Sequence, residues 1–206
     1  MRSRAVKLAV AAACVLLVIA AGSERFLELD ASIARWFRSH FGSAHTQAAL
    51  LLTAIGSNYF ALFILVLAGI PFAIKRWWAD LVFLAMGVGG GIALDGSLKG
   101  LCNRPRPFSP EQTITFAGSS FPSGHAMTAT ILWGGLAMII LARVSRPPWR
   151  SAVAAAAVAL VGLVATTRIY LGAHYLTDVV GGIAFGLLWL AICDAAVRAV
   201  VKRQSV

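Results

Sequence analysis

Residues 123–142 read SGHAMTATILWGGLAMIILA, a run of twenty residues that contains no Asp, Glu, Lys or Arg. An α-helix of about twenty apolar residues is long enough to cross the hydrocarbon core of a bilayer. The composition of the whole chain agrees, because 59% of its 206 residues are hydrophobic and only 13% are charged. The sequence therefore predicts an integral membrane protein rather than a soluble globular domain.

Comparable apolar runs lie on both sides of this stretch. Backbone polar groups inside a bilayer must be satisfied within the protein, so helices are the expected element. We predict an all-α, six-helix membrane bundle that forms a single domain over residues 1–206. The predicted spans cover residues 7–22, 48–73, 79–98, 123–142, 151–170 and 177–197. The first run is also typical of a secretory signal, which leaves its cleavage open.

Basic residues flank these runs on one side of the predicted membrane. Lys and Arg are retained on the cytoplasmic side, and four clusters fall together if the chain crosses six times. The clusters are Arg2, Arg4 and Lys7; Lys75 and Arg76; Arg143, Arg146 and Arg150; and Arg198, Lys202 and Arg203. We therefore expect a multi-pass cell-membrane protein with both termini in the cytoplasm. Topology and anionic lipid headgroups account for the net charge of +10 without a nucleic-acid partner.

An amphipathic segment lies between the first two runs. Its apolar residues recur at helical spacing while charged residues occupy the other positions, which predicts a helix in the membrane interface. The apolar positions are Phe26, Leu29, Ile33, Trp36, Phe37 and Phe41. The sequence leaves open whether this helix is only a connector or helps to form a lateral entrance for lipid.

The remaining polar residues gather at the predicted outer ends of the third, fourth and sixth runs. Three cations at one membrane level repel each other unless an anion lies among them, and phosphate matches the donors of Arg and Lys. The start of a helix adds free backbone N–H groups. The predicted phosphate-binding residues are Lys99, Arg106, Ser123, Gly124 and Arg168. Asp95 lies one turn from Lys99 and is predicted to form a supporting ion pair.

Two histidines beside these cations supply the candidate chemistry. His174 and Asp178 are four residues apart, so the carboxylate is expected to accept one ring N–H while the other nitrogen faces phosphorus. His174 is then the nucleophile. His125 protonates the leaving oxygen and later activates the water that hydrolyses the phosphohistidine. Arg104 either brings a second guanidinium to a pyrophosphate or stiffens its loop.

The sequence offers little from which to build a metal site. It contains no CxxC or HExxH motif, and its eight acidic residues are scattered along the chain. We therefore expect no metal and no cofactor. Activity should survive a chelator, whereas vanadate, which mimics a five-coordinate phosphoryl group, should inhibit.

Together these groups resemble the three-part signature of the type 2 phosphatidic acid phosphatase family, which includes the vanadium haloperoxidases. The resemblance rests on Lys99-x6-Arg106-Pro107, on Pro122-Ser123-Gly124-His125 and on Arg168-x5-His174-x3-Asp178. It implies that the three cations, Ser123 and the Gly124 amide hold phosphate, and that His125, His174 and Asp178 are catalytic. Thr167 departs from the Ser that the family usually carries there.

The resemblance also implies a reaction. It is similar to that of bacterial inner-membrane enzymes that hydrolyse a lipid phosphate or pyrophosphate at the extracytoplasmic face. The candidate substrates are undecaprenyl pyrophosphate, phosphatidylglycerol phosphate, phosphatidic acid and a lipid A phosphate, and the loop over residues 108–121 is expected to contribute to the choice among them. A lipid phosphotransferase with the same intermediate and a non-catalytic transporter of anionic lipid remain alternatives. Oligomeric state is left open.

Overall fold

The computed structural model describes residue 16 and residues 24–40, 45–107 and 116–204. The predicted first span at residues 7–22 lies outside them except for residue 16. The described residues form seven helices and no strand, which confirms the all-α prediction. The helices are α1 (Glu24–His40), α2 (Thr46–Ala54), α3 (Asn58–Ile74), α4 (Trp78–Cys102), α5 (Gly124–Leu141), α6 (Pro147–Tyr170) and α7 (Leu176–Gln204).

Helices α4 to α7 run alternately up and down and are each long and apolar enough to cross a membrane. Their ends define the two ends of the bundle. At one end, the Lys99 ammonium of α4 lies beside Gly124, where α5 begins. At the other end, Asp80 in the first turn of α4 pairs with Arg143, just beyond α5. We call the first the site end and the second the basic end.

The predicted span at residues 48–73 is two helices rather than one. Helices α2 and α3 meet at a bend of 43°. Ser57 begins α3 by accepting a hydrogen bond from the Phe60 N–H at 3.2 Å. Gly56 permits close packing at the bend, since a Cβ there would lie 2.5 Å from the Val164 side chain. The run is therefore bent rather than straight, and both the span over residues 48–73 and the six-span count stay predictions.

Helix α5 lies at the centre of the bundle between α4, α6 and α7. Its Met127, Ile131 and Leu132 are fully buried in the apolar core. Two glycines of α7 let the backbones of α5 and α7 approach each other. A Cβ on Gly182 would lie 2.5 Å from the Ser123 carbonyl oxygen, and one on Gly186 would lie 3.0 Å from that of Met127. This packing fixes the start of α5 against the first turns of α7.

Helix α1 corresponds to the predicted amphipathic segment. Its Ile33 and Phe37 pack against the small core cluster formed by residues of α5, α6 and α7, whereas Leu29 and Trp36 are exposed. Asp30 lies on the packed side and is buried. The helix is therefore attached to the bundle at the site end, while its position in a membrane interface stays a prediction.

Candidate active site

Three chain reversals bring the polar motifs together at the site end. Helix α4 ends at Asn103, whose left-handed backbone (φ 40°) redirects the chain toward Arg104. Helix α5 begins after Ser123, whose N–H donates to the Asp178 carbonyl at 2.9 Å. A turn through Gly172 (φ 65°) joins α6 to His174 just before α7. The loop and helix ends thus supply one common site.

His174 is buried, with 2% of its surface exposed, and both ring nitrogens have partners. Its Nδ1 lies 2.7 Å from the Ser120 carbonyl oxygen, which can only accept, so Nδ1 carries the proton. Its Nε2 therefore has the lone pair and lies 3.3 Å from a guanidinium nitrogen of Arg106. In this tautomer the unprotonated nitrogen faces one of the predicted phosphate-binding cations.

Asp178 contributes to His174 in a different way from the one that the four-residue spacing predicts. His174 precedes α7, so the two side chains do not share a helix face. The Asp178 Oδ2 lies 3.6 Å from His174 Nδ1, beyond the nearer Ser120 carbonyl. Oδ2 also accepts from the Ser120 hydroxyl and, at 2.8 Å, from the Tyr175 N–H. Asp178 therefore acts on His174 through its charge, while the carbonyl fixes the ring.

Arg106 and Arg168 flank the aromatic ring of Phe116, at 5.9 Å and 5.0 Å from its centroid. Arg106 donates to the carbonyl oxygens of Ala117, Gly118 and Ala173. Arg168 is buried, and its guanidinium donates to the Thr53 hydroxyl at 3.3 Å. Within the described residues neither guanidinium forms an ion pair with a carboxylate. Two cations held together in this way favour an anion.

Lys99 pairs with Asp95 at 2.7 Å, as predicted. The pair lies against the first residue of α5, because a Cβ on Gly124 would come within 2.7 Å of Asp95 Oδ2 and 2.9 Å of Lys99 Nζ. A side chain at position 124 would therefore displace the ammonium group. The absence of a side chain at Gly124 thus lets the Lys99 ammonium lie at the N-terminus of α5, where free backbone N–H groups also favour a bound anion.

Ser123 and His125 complete the predicted set. The Ser123 hydroxyl and the Arg168 Nε are both buried and have no hydrogen-bond partner within the described residues. Buried polar atoms are rarely left unpaired, so such donors at one site point to a ligand. His125 lies within electrostatic range of Lys99, Arg168 and His174. The structure thus brings together every residue of the predicted catalytic and phosphate-binding set.

Arg104 forms ion pairs with two carboxylates and does not join the other cations around the predicted phosphate position. It donates to Asp30 at 2.9 Å and to Asp178 at 2.5 Å, and it bonds the Thr177 hydroxyl at 2.7 Å. Asp30, Ser120, Thr177 and Phe116 were not predicted from the sequence. Only Asp30 gave a signal, since it is a carboxylate on the apolar side of an amphipathic segment.

Two further features bear on the predicted chemistry. No group of three His, Cys, Asp or Glu side chains that could hold a metal ion occurs in the described part of the chain. Thr167, the departure from the family pattern, donates its hydroxyl to the Val164 carbonyl at 2.7 Å. Its extra methyl group is accommodated in a buried position.

A bundle of membrane-length helices, with a buried histidine at one end beside two arginines that form no ion pair within the described residues, is typical of helical membrane enzymes that act on phosphate. Comparison with known proteins narrows this class. The profile of the PAP2 superfamily matches residues 80–202. The chain belongs to the PAP2 superfamily, and it is a phosphatase.

Curated relatives have related activities. Phosphatidylglycerophosphatase B of Bacillus subtilis is 34% identical over 143 residues, covering 66% of this chain and 68% of that protein. Decaprenylphosphoryl-5-phosphoribose phosphatase of Mycobacterium tuberculosis is 31% identical over 162 residues, covering 76% and 75%. Lipid A 1-phosphatase of Rhizobium johnstonii is 37% identical over 93 residues, covering 45% of this chain but only 32% of that protein.

Two solved structures share the fold. The transmembrane PAP2-type phosphatidylglycerolphosphate phosphatase of Bacillus subtilis superimposes with a TM-score of 0.81 at 24% identity, covering 96% of both chains. LpxE of Aquifex aeolicus superimposes with a TM-score of 0.62 at 21% identity, covering 86% of this chain and 97% of that one. The multi-pass membrane architecture is therefore confirmed.

Proposed function

We propose that this protein hydrolyses the terminal phosphate of a membrane lipid through a phosphohistidine intermediate on His174. The observation that carries the proposal is the set of unused donors around this histidine. The Ser123 hydroxyl and Arg168 Nε are buried and have no partner among the residues that the structure describes, and Arg106 faces the lone pair on Nε2. Donors arranged before the substrate arrives stabilise the charge that develops on a transferring phosphoryl group.

In the first step the Nε2 lone pair of His174 attacks phosphorus, and the bond from phosphorus to the lipid oxygen breaks. His125, which takes up a proton beside the negative charge of the bound phosphate, gives that proton to the departing oxygen. Positive charge develops on the His174 ring, where Asp178 at 3.6 Å and the Ser120 carbonyl at 2.7 Å stabilise it. In both steps Arg106, Arg168 and Lys99 neutralise the negative charge on the phosphoryl oxygens.

In the second step water replaces the lipid oxygen. His125, now neutral, accepts a proton from the water as it attacks phosphorus, and the N–P bond breaks. His174 recovers its lone pair, and inorganic phosphate leaves. A transferase would use a lipid hydroxyl in place of water, so hydrolysis requires that water reach the side opposite His174.

A lipid substrate fits the place of the site in the bundle. The site lies at the ends of four helices that are each long enough to span a bilayer, so a tail can remain in the membrane while the headgroup reaches the cations. The basic clusters of the described chain lie at the opposite end. The tendency of Lys and Arg to stay in the cytoplasm therefore supports an extracytoplasmic site in a bacterial inner membrane.

Phosphatidylglycerol phosphate is the substrate that we propose first. The relative that acts on it by name is 34% identical and is covered over 68% of its length. The geometry also favours a phosphomonoester over a pyrophosphate, because Arg104 is engaged with two carboxylates and is withheld from a second phosphate. Undecaprenyl pyrophosphate, phosphatidic acid and a lipid A phosphate form the comparison set.

The test is phosphate release by detergent-purified protein from these four lipids, with excess chelator and with the His174→Ala variant in parallel. We expect release by the wild type alone, fastest from phosphatidylglycerol phosphate. Labelled substrate quenched during turnover should leave an acid-labile, alkali-stable phosphate on the wild-type protein and none on His174→Ala. Activity that chelator abolishes and a divalent ion restores would contradict the proposal.

Two other functions are separated by the same assay. A phosphotransferase would release inorganic phosphate only in trace amounts and would label an added lipid acceptor. A transporter of anionic lipid would move lipid equally well in the His174→Ala variant. Intact His125, His174 and Asp178 at one site favour hydrolysis over transport, because transport needs charge but not a nucleophile and an acid.

A further inference from the structure

Asp30 of α1 is the far end of a buried chain of charges that leads to the active site. It is 1% exposed, Arg104 is 7% exposed and Asp178 is fully buried. One guanidinium joins the two carboxylates, with Nη2 on Asp30 at 2.9 Å and Nη1 on Asp178 at 2.5 Å. The Thr177 N–H also donates to Asp30 at 3.1 Å. No step of the proposed reaction uses Asp30.

A buried charge is costly unless it is paired, so the balance within this group matters. With both carboxylates present, Arg104 is shared and Asp178 keeps part of its negative field for His174. Without the charge on Asp30, the guanidinium neutralises Asp178 alone. Asp178 would then stabilise a positive ring on His174 less, and the guanidinium would be free to pull the carboxylate away from the ring.

We propose that Asp30 is a positioning residue of the catalytic reaction, which shares Arg104 with Asp178 so that Asp178 keeps its negative field and its orientation toward His174. The inference rests on the function proposed above. It assigns a role in the reaction to the amphipathic helix α1, which otherwise packs against the cluster formed by α5, α6 and α7. A helix at the membrane surface would thereby be coupled to the nucleophile.

The test compares Asp30→Asn with wild type in phosphate release and in two inhibition assays. Vanadate binds as a five-coordinate group bonded to the nucleophile, whereas inorganic phosphate reports only the cations. We expect kcat to fall about tenfold to a hundredfold, the size of effect that misplacing a reacting group produces. Vanadate inhibition should weaken by the same factor, while KM and phosphate inhibition change less than about twofold.

Asp30→Glu keeps the charge and should recover part of kcat and of the vanadate inhibition. Glu28→Gln is the matched control, because Glu28 is an exposed carboxylate on the same helix. It should behave as wild type. In an Arg104→Gln background, Asp30→Asn should cost little more, since the two residues act as one unit.

Several results would overturn the inference. Wild-type kcat in Asp30→Asn would do so, as would equal losses in the Asn and Glu variants. Loss of phosphate inhibition together with vanadate inhibition would assign Asp30 to folding instead. An inactive wild-type protein would refute the proposed function itself, so the two failures can be told apart.

Discussion

At the residue scale, burial determines the protonation state of His174. Removal from water disfavours the charged ring and lowers the pKa of His174 from 6.5 to about 4, with Arg168 and Arg106 acting in the same direction and Asp178 opposing. The ring is therefore neutral at pH 7 and has a lone pair available for attack. A nucleophile of this kind needs no base to activate it.

The first prediction concerns the acid limb of the pH profile. Protonation of His174 removes the nucleophile, so activity is present above its pKa and is lost as pH falls through about 4. The profile of kcat/KM reports the free enzyme, and ring-nitrogen NMR of the substrate-free protein assigns the transition, with His174→Ala removing the signal. A ring that titrates near 6.5 would contradict this account.

The same burial has a consequence for stability. The unfolded chain takes up this proton near pH 6.5 but the folded one only near pH 4, so the folded state loses stability as pH falls between these values. Thermal unfolding in detergent should show the loss, and a His174→Phe variant should show less of it. An identical dependence in both proteins would place the effect on other groups.

The second prediction concerns Arg168. A lysine keeps its charge but loses the planar fork and the Nε donor, which has no partner in the described part of the chain. We expect Arg168→Lys to lower kcat/KM about a hundredfold to a thousandfold, as removal of one preorganised donor does in other enzymes. Arg146→Lys, an exposed arginine at the basic end, is the control and should leave activity unchanged. If both variants were equally active, Arg168 would not contribute to substrate binding or catalysis.

How far the site could be predicted depends on the kind of atom involved. Charged and titratable side chains such as Lys99, Arg106 and His174 can be found in the sequence, because burying them at membrane depth costs free energy and they are therefore rare there. The partner of the His174 ring proton is a backbone carbonyl of Ser120, which every residue type possesses. Phe116 could not be predicted either, because the chain contains eleven phenylalanines and nothing in the sequence distinguishes this one.

At the element scale, the site depends on how closely α7 approaches the start of α5. Gly182 leaves room for the Ser123 carbonyl, and the Ser123 N–H in turn bonds the Asp178 carbonyl. The two helices therefore fix the distance between the turn at Ser123 and the Asp178 carboxylate. Small residues commonly allow such close approach in membrane bundles, where the hydrophobic effect does not drive helix association and close packing is needed instead.

The third prediction tests this packing with one methyl group. In Gly182→Ala the new Cβ would lie 2.5 Å from the Ser123 carbonyl oxygen and 3.1 Å from the Met127 nitrogen, both of them backbone atoms that yield little. We expect a loss of about 1–3 kcal/mol in stability, the usual cost of overpacking, and a reduced kcat. Thermal unfolding in detergent and phosphate release measure the two effects.

Gly162→Ala is the control for this substitution. Gly162 is also in a membrane-length helix, but a Cβ there would meet nothing within 4 Å. Alanine favours helix by about 1 kcal/mol over glycine, so this variant should be at least as stable as wild type and fully active. A Gly182→Ala protein that matched it would show that α7 can move without harm.

The predicted runs match the helices where hydrophobicity alone decides them, whereas the bend inside residues 48–73 is a feature that hydrophobicity does not reveal. The four later runs correspond to α4, α5, α6 and α7 because long apolar segments have one stable solution in a bilayer. The break between α2 and α3 interrupts an equally apolar run. Gly56 and Ser57 mark it, and Val164 of α6 packs closely against Gly56 there, a contact that the sequence does not display.

At the scale of the whole molecule, the alternation of α4 to α7 separates two kinds of charge. The cations of the site lie at one end, and the Asp80–Arg143 pair, with the loop that carries Arg146, lies at the other. The first group is the one that we propose binds substrate, and the basic residues of the second are of the kind that holds loops in the cytoplasm. The distribution of Lys and Arg between the two ends therefore predicts which side of the membrane the candidate active site faces.

The fourth prediction tests this orientation in intact cells. Cysteine is introduced at one exposed position on each end, Ala117→Cys in the site loop and Ser145→Cys between α5 and α6, after Cys14, Cys102 and Cys193 are replaced by Ser. A membrane-impermeant maleimide should label position 117 in intact cells and position 145 only after lysis. Both variants must first release phosphate normally, which ensures that the fold is retained.

The outcome bears on how substrate reaches the enzyme. Labelling at 117 from outside would require the lipid headgroup to be exposed on the outer leaflet before hydrolysis, so phosphate would be released away from the cytoplasm. The reverse pattern would place the site in the cytoplasm and would leave the cations at the basic end facing outward, against the usual retention of Lys and Arg. In that case the charge that orients the bundle would have to come from outside the described residues.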